Sequence, residues 1–208
     1  PDGCTADRLE VPRLWRDEAY GRSPDGGDLG FFMESTPGEA NTTESRPGFA
    51  EMPELSLDPG YHTFGTRIEA SSPSPDAVLH MTRDGSPPTE DSLAWTDRYV
   101  GNEAEIVRVR AYEEGLWPSR IVTGTYLYRP RADVGIVSLV MDPHDLWDPE
   151  EGIYVGENYW EDWERDVHAE LFEPEGKGWT GFNSGIVIHG GASRGNAQRS
   201  FRLALRAG

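Results

Sequence analysis

Ala104-Glu105-Ile106-Val107-Arg108-Val109-Arg110-Ala111-Tyr112 is the stretch on which the fold turns. Its side chains alternate, with Ile106 opposite Val107, and a period of two suits an extended strand rather than a helix. Ile121-Val122-Thr123-Gly124-Thr125-Tyr126-Leu127-Tyr128 repeats the pattern after the loop Glu113-Glu114-Gly115-Leu116-Trp117-Pro118. Upstream, Val78-Leu79-His80-Met81-Thr82 runs into Arg83-Asp84-Gly85-Ser86-Pro87-Pro88-Thr89, where Asp-Gly signals a turn. Arg67-Ile68-Glu69-Ala70 adds a shorter run. Several strands spaced by turns between residues 53 and 128 predict a small two-sheet sandwich.

Outside that region the composition changes twice. Residues 1–50 are rich in Gly, Pro, Thr, Ser and Asp, with Leu29-Gly30-Phe31-Phe32-Met33 as the main apolar run, and taken alone they read as loop or partial domain. Arg129-Pro130-Arg131-Ala132-Asp133 reads as a linker. Beyond it come the buried-type run 134–140, an acid-dense segment 142–166 carrying Trp147, Trp160 and Trp163, and then further alternation. Strands are expected at 167–172, 185–189 and 200–206, and in the last Phe201, Leu203 and Leu205 share one face while Arg202 and Arg206 share the other. Helical period is almost absent throughout.

Composition narrows the function classes. With 37 acidic and 19 basic residues the net charge is −18, a field that disfavours nucleic acid and anionic membranes as partners. No stretch approaches the length of apolar sequence that a membrane span requires. Lys177 is the single lysine, so the remaining cations are arginines, a balance that suits a saline or extracellular setting and equally a GC-rich genome. Seven Trp, 8 Tyr and 7 Phe argue for packing against disorder. Cys4 is alone, which leaves no disulfide framework and no cysteine-based metal site within these residues. The chain starts at Pro1 without Met, so any export signal is expected upstream.

Charge is unevenly placed. Residues 176–208 carry +5 with no acid, and residues 1–175 carry −23. Inside the basic stretch, Gly190-Gly191-Ala192-Ser193-Arg194-Gly195 sits between two strands, where glycines let a backbone loop approach an anion and Arg194 and Arg199 could add bidentate phosphate contacts. The same residues also suit an ordinary glycine-rich hairpin with arginines on a solvated face. Asp142, Asp145, Asp148, Glu150 and Glu151 crowd ten residues, as in oxygen-rich calcium loops, but their spacing does not match the helix–loop–helix calcium pattern, and acid runs are usually solvated. His62, His80, His144, His168 and His189 are scattered without metal-ligand spacing, so no metal ligand is assigned and His189 reads as structural.

Three segments resemble known families. Residues 21–41, GRSPDGGDLGFFMESTPGEAN, resemble the closing segment of a bacterial lamin tail domain, an immunoglobulin-like β-sandwich. Residues 53–128 resemble the chitobiase C-terminal type of sandwich through Pro59-Gly60-Tyr61, the 82–89 turn, Arg108-Val109-Arg110-Ala111, Gly115-Leu116-Trp117-Pro118-Ser119 and Thr125-Tyr126. The third zone resembles the start of a CotH-type spore-coat protein kinase domain. It does so through Ile136-Val137-Ser138-Leu139 with Asp142-Pro143, Gly152-Ile153-Tyr154-Val155-Gly156, Asn158 before Trp160, Val167-His168-Ala169-Glu170, and above all IVIHGGASRGNAQRSFRL from Ile186 to Leu203. That order of modules is itself a known arrangement.

The resemblance implies a mostly β chain in which Ig-like β-sandwich modules precede the first antiparallel strands of an atypical kinase-like α+β domain. Its boundaries fall at 1–50, 51–130 and 134–208. It implies a secreted or cell-surface multidomain protein that, at full length, uses ATP and Mg²⁺ to phosphorylate Ser or Thr of extracellular or coat proteins. Gly190, Gly191, Ser193, Arg194 and Arg199 become the nucleotide-contact candidates, although Arg199 stands where the family commonly has lysine, and the guanidinium is a wider, fork-shaped cation. The family's catalytic acids lie beyond the Ser193-Arg194-Gly195 segment, so no catalytic residue is expected here and this chain alone should transfer no phosphate. The other expectation is a surface-glycan or adhesion scaffold with an inactive kinase-like part, Trp95, Tyr99 and Trp117 offering aromatic platforms. An unpaired edge on the last strand would make the C-terminal zone the least stable.

Overall fold

The structure, a computed structural model, describes residues 8–15, 18–24, 26–101, 104–128 and 133–205. Cys4, Asp25 of the Ser-Pro-Asp-Gly turn, most of the expected linker and Arg206 lie outside the described residues. The described residues are mostly β, with one short helix.

Residues 1–50 contain more order than their composition announces. β1 (Ala19–Ser23) and β2 (Asp28–Phe32) form an antiparallel hairpin, and β3 (Ser45–Arg46) extends it to a three-stranded sheet. Phe32 is its buried anchor. This sheet has too few apolar residues to stand alone, and it borrows a core from downstream. Trp117 lies under it: the indole N–H donates to the Phe31 carbonyl at 2.9 Å, and the Arg46 guanidinium stacks over the ring at 4.5 Å.

The middle unit is sandwich-like. β4 (Glu54–Leu55), β5 (Gly60–Tyr61), β6 (Arg67–Ile68), β7 (Ala70–Ser71), β8 (Val78–Thr82), β9 (Leu93–Ala94), β10 (Arg98–Tyr99), β11 (Glu105–Tyr112) and β12 (Val122–Leu127) make one five-stranded sheet, ordered β5-β12-β11-β8-β9, and two ribbons, β4-β7 and β10-β6. β11 shows why: Glu105, Val107, Val109 and Ala111 are buried and the residues between them only half-buried. Val107 and Val109 meet Ile68, Met81, Val100 and Tyr126 in one core. Each such aliphatic side chain contributes on the order of 1.5–3 kcal/mol by leaving water.

The third unit is a four-stranded antiparallel sheet in chain order: β13 (Ile136–Val140), β14 (Arg165–Phe172), β15 (Trp179–His189) and β16 (Ser200–Ala204). One face holds a core of Met141, Ile153, Val167, Ile186 and Ile188, roofed by the acid-dense segment with its helix α1 (Pro143–Trp147). The other face turns toward the middle unit, where the Thr125 and Ser138 hydroxyls lie 2.8 Å apart. β16 ends earlier than the pattern predicts, and Leu205 is 72% exposed.

Candidate functional site

The glycine-rich loop follows β15 as expected. Gly190 leaves the strand at φ 129°, a conformation that favours glycine, and a Cβ there would stand 2.4 Å from the Ser193 hydroxyl. Ala192–Gly195 then form one 3₁₀ turn, closed by Arg194 N–H donating to the Gly191 carbonyl at 3.0 Å. Gly190, Gly191, Ser193, Arg194 and Arg199 therefore do come together.

What they face is the roof of acidic and aromatic residues. Arg194 commits all three nitrogens: Nε to the Gly190 carbonyl at 2.8 Å, Nη1 to the Trp160 carbonyl at 3.3 Å and Nη2 to Asp162 at 2.9 Å. Arg199 gives Nε to the Arg194 carbonyl and Nη1 to the Tyr154 carbonyl, each at 2.7 Å. Its guanidinium also lies 4.6 and 4.2 Å from the Tyr154 and Tyr159 ring centres. Tyr154 completes the clamp, donating its hydroxyl to the Ala197 carbonyl and accepting from Arg199 N–H, both at 3.2 Å. As arranged, the two arginines tie loop to roof. The sequence carried both halves of this clamp, but the pairing spans 32 to 45 residues and left no local signal.

The acids of the roof are turn-formers. Asp142 caps α1 by accepting from His144 N–H at 3.0 Å. Asp148 accepts from the Glu151 and Glu150 N–H groups, which hold its carboxyl below the usual range. Burial pushes the pKa of the Asp145 carboxyl up, opposed by Arg165 at 3.4 Å. The Asn158 amide donates to the Gly152 carbonyl at 3.0 Å and closes the loop between them. Among the described residues no three His, Cys, Asp or Glu side chains converge into a group that could hold a metal ion. No helix of the described residues is long and apolar enough to cross a membrane. His189 is exposed beside the loop.

Of the aromatic platforms expected from sequence, Trp117 is the inter-sheet anchor just described, and Trp95 packs against the sandwich core. Tyr99 is exposed, and so are Phe64 and Tyr128, whose rings meet edge to face at 5.6 Å, a pair that sequence reading passed over. Compared with family models, curated proteins and solved structures, the chain finds no match.

Proposed function

We propose that these residues form the non-catalytic β scaffold of a secreted, multidomain protein of the CotH type and transfer no phosphate themselves. The observation that carries the reading is that all three Arg194 side-chain nitrogens, and Nε and Nη1 of Arg199, donate to protein acceptors, so the glycine loop is clamped to the roof. The order of the three sequence resemblances supports the family assignment. On this reading the ATP- and Mg²⁺-dependent phosphorylation of an extracellular or coat protein belongs to residues outside the chain. The chain should give no ³²P transfer from γ-labelled ATP to casein or to itself in Mg²⁺. Transfer above the blank that disappears with a metal chelator would overturn the proposal.

The exposed Phe64–Tyr128 pair favours a second reading, surface-glycan binding by the same scaffold. A glycan array separates the two: signals lost in a Phe64→Ala/Tyr128→Ala variant support it, and a blank array removes it.

A further inference from the structure

A cleft of about 130 Å³ opens on the seam between the middle and third units. β5 and the residue after it supply Tyr61 and His62, while β14 and β15 supply Phe172 and Trp179, which are partners in the ladder. One proline and three glycines complete the lining, so no carboxylate, ammonium or guanidinium side chain lines it. Charge lies just behind this wall. Trp179 reaches over Gly181, where a Cβ would stand 2.8 Å from the indole and 3.6 Å from Glu170 Cγ. Glu170 is fully buried, neither of its oxygens has a hydrogen-bond partner, and His168 Nε2 stands 3.9 Å away. Burial first, and then the negative charge of Glu170, push the Tyr126 pKa up; the Tyr126 ring centre is 5.9 Å from that of His62, so the field extends toward the wall on the other unit as well. The Glu173 carboxylate carbon would lie 3.4 Å from a Cβ on Gly178, another lining residue, and Lys177 in the same turn pairs with Glu175 at 2.9 Å.

An aromatic wall with an unpaired carboxylate behind it favours a cation and disfavours an anion. A primary ammonium or a guanidinium would bring several N–H donors to a lining that presents no carboxylate oxygen. A fully methylated ammonium has no N–H to satisfy; its methyl groups pack on rings while its charge answers Glu170. The volume suits a head group of that kind and falls well below the range of drug-sized sites. We propose that this cleft seats a quaternary ammonium head group among Tyr61, His62, Phe172 and Trp179, with Glu170 as the countercharge behind them.

Calorimetric titration of the whole chain with choline chloride, at matched ionic strength, tests this. Saturable binding on the order of 1 mM is expected, and the uncharged analogue of choline with carbon in place of nitrogen should bind about tenfold more weakly. Glu170→Gln should weaken choline binding about tenfold, and Trp179→Leu, which keeps an apolar wall without the ring, about fivefold. Glu161→Gln, on the roof of the third unit, should change it by less than about twofold. Glu170→Gln is expected to melt no lower than the native chain, so a loss of binding there is not a loss of fold. Equal binding of the uncharged analogue, equal effects of Glu170→Gln and Glu161→Gln, or no saturable binding would overturn the proposal; the comparison of choline with its analogue on the native chain decides the matter if a variant melts early. N-acetylglucosamine binding more tightly than choline, with a loss in Trp179→Leu, would overturn it in favour of a glycan. Sedimentation on phosphatidylcholine vesicles, released by choline, would place the head group on a lipid, and choline binding without sedimentation would place it on a free solute; both support the head-group assignment.

Discussion

Glu170 is the residue whose surroundings least suit it. It is fully buried on β14 between Ser138 and Gly181, and neither carboxylate oxygen has a hydrogen-bond partner. The nearest cationic candidate, His168 Nε2, stands 3.9 Å away, while its Nδ1 lies 2.8 Å from the Asn183 side-chain oxygen. Its negative charge reaches Tyr126, whose pKa is pushed up first by burial and then by Glu170. A buried charge without partners costs more than a buried amide of the same shape, because the ion loses far more hydration. Glu170→Gln should therefore stabilise the protein by about 1 kcal/mol, read as a melting temperature roughly 2–4 °C higher by calorimetry. A lower melting temperature would mean that the carboxylate makes a bond the amide cannot. Alternation predicted a strand over 167–172, yet period alone could not distinguish an outward Glu170 from one pressed against another unit.

Among elements, the turn between β8 and β9 joins units that the sequence kept apart. Asp84 and Gly85 read correctly as a turn: the Asp84 carboxylate accepts from Ser86 N–H at 3.0 Å and Ser86 hydroxyl at 2.6 Å, and Gly85 adopts φ 94°. Sequence could not show that the turn rests on the next unit, where a Cβ on Gly85 would come 2.5 Å from the Met141 carbonyl oxygen. The half-buried Arg108 donates to the Gly85 carbonyl from the same place; desolvation lowers its pKa and Asp142, across the junction, opposes that. Gly85→Ala should thus cost about 2 kcal/mol or more, through backbone strain and displacement of the Met141 segment, measurable by urea unfolding. The strands legible in advance, β8, β11, β12, β14 and β16, are those with a period-two pattern over five residues or more. Ribbons two residues long carry no period, and the first half of β15, Trp179 to Asn183, mixes aromatic, polar and glycine residues and stays largely exposed, so it shows no alternation. The clamp at Arg194 and Arg199 was legible as a cluster of residues but not as a structure, since its acceptors, apart from the Asp162 carboxylate, are backbone carbonyls that residue identity does not reveal.

At the scale of the molecule, Trp117 joins the N-terminal sheet to the middle unit, while small residues, Thr125 against Ser138 and Gly85 against Met141, join the middle unit to the third. The N-terminal sheet depends most on its junction, because it owns little core beyond Phe32. Trp117 anchors it four ways. The indole N–H donates to Phe31, its backbone N–H donates to the Gly48 carbonyl at 2.9 Å, its carbonyl accepts from Ala50 N–H at 2.7 Å, and its ring carries Arg46. A second tie is polar and largely buried: Arg120 meets Glu18 at 3.1 Å, with the guanidinium 3.7 Å from the Trp15 ring centre. Removing the indole leaves the backbone bonds in place but takes away the ring that Arg46 covers and the donor that Phe31 uses. Trp117→Ala should cost about 3 kcal/mol locally, on the scale of large-to-small changes at packed aromatics. If the N-terminal sheet is held chiefly by this residue, amide hydrogen exchange in residues 19–46 should quicken about a hundredfold while the 136–204 sheet keeps its protection. Equal quickening in both sheets would instead mark Trp117 as the centre of one cooperative core.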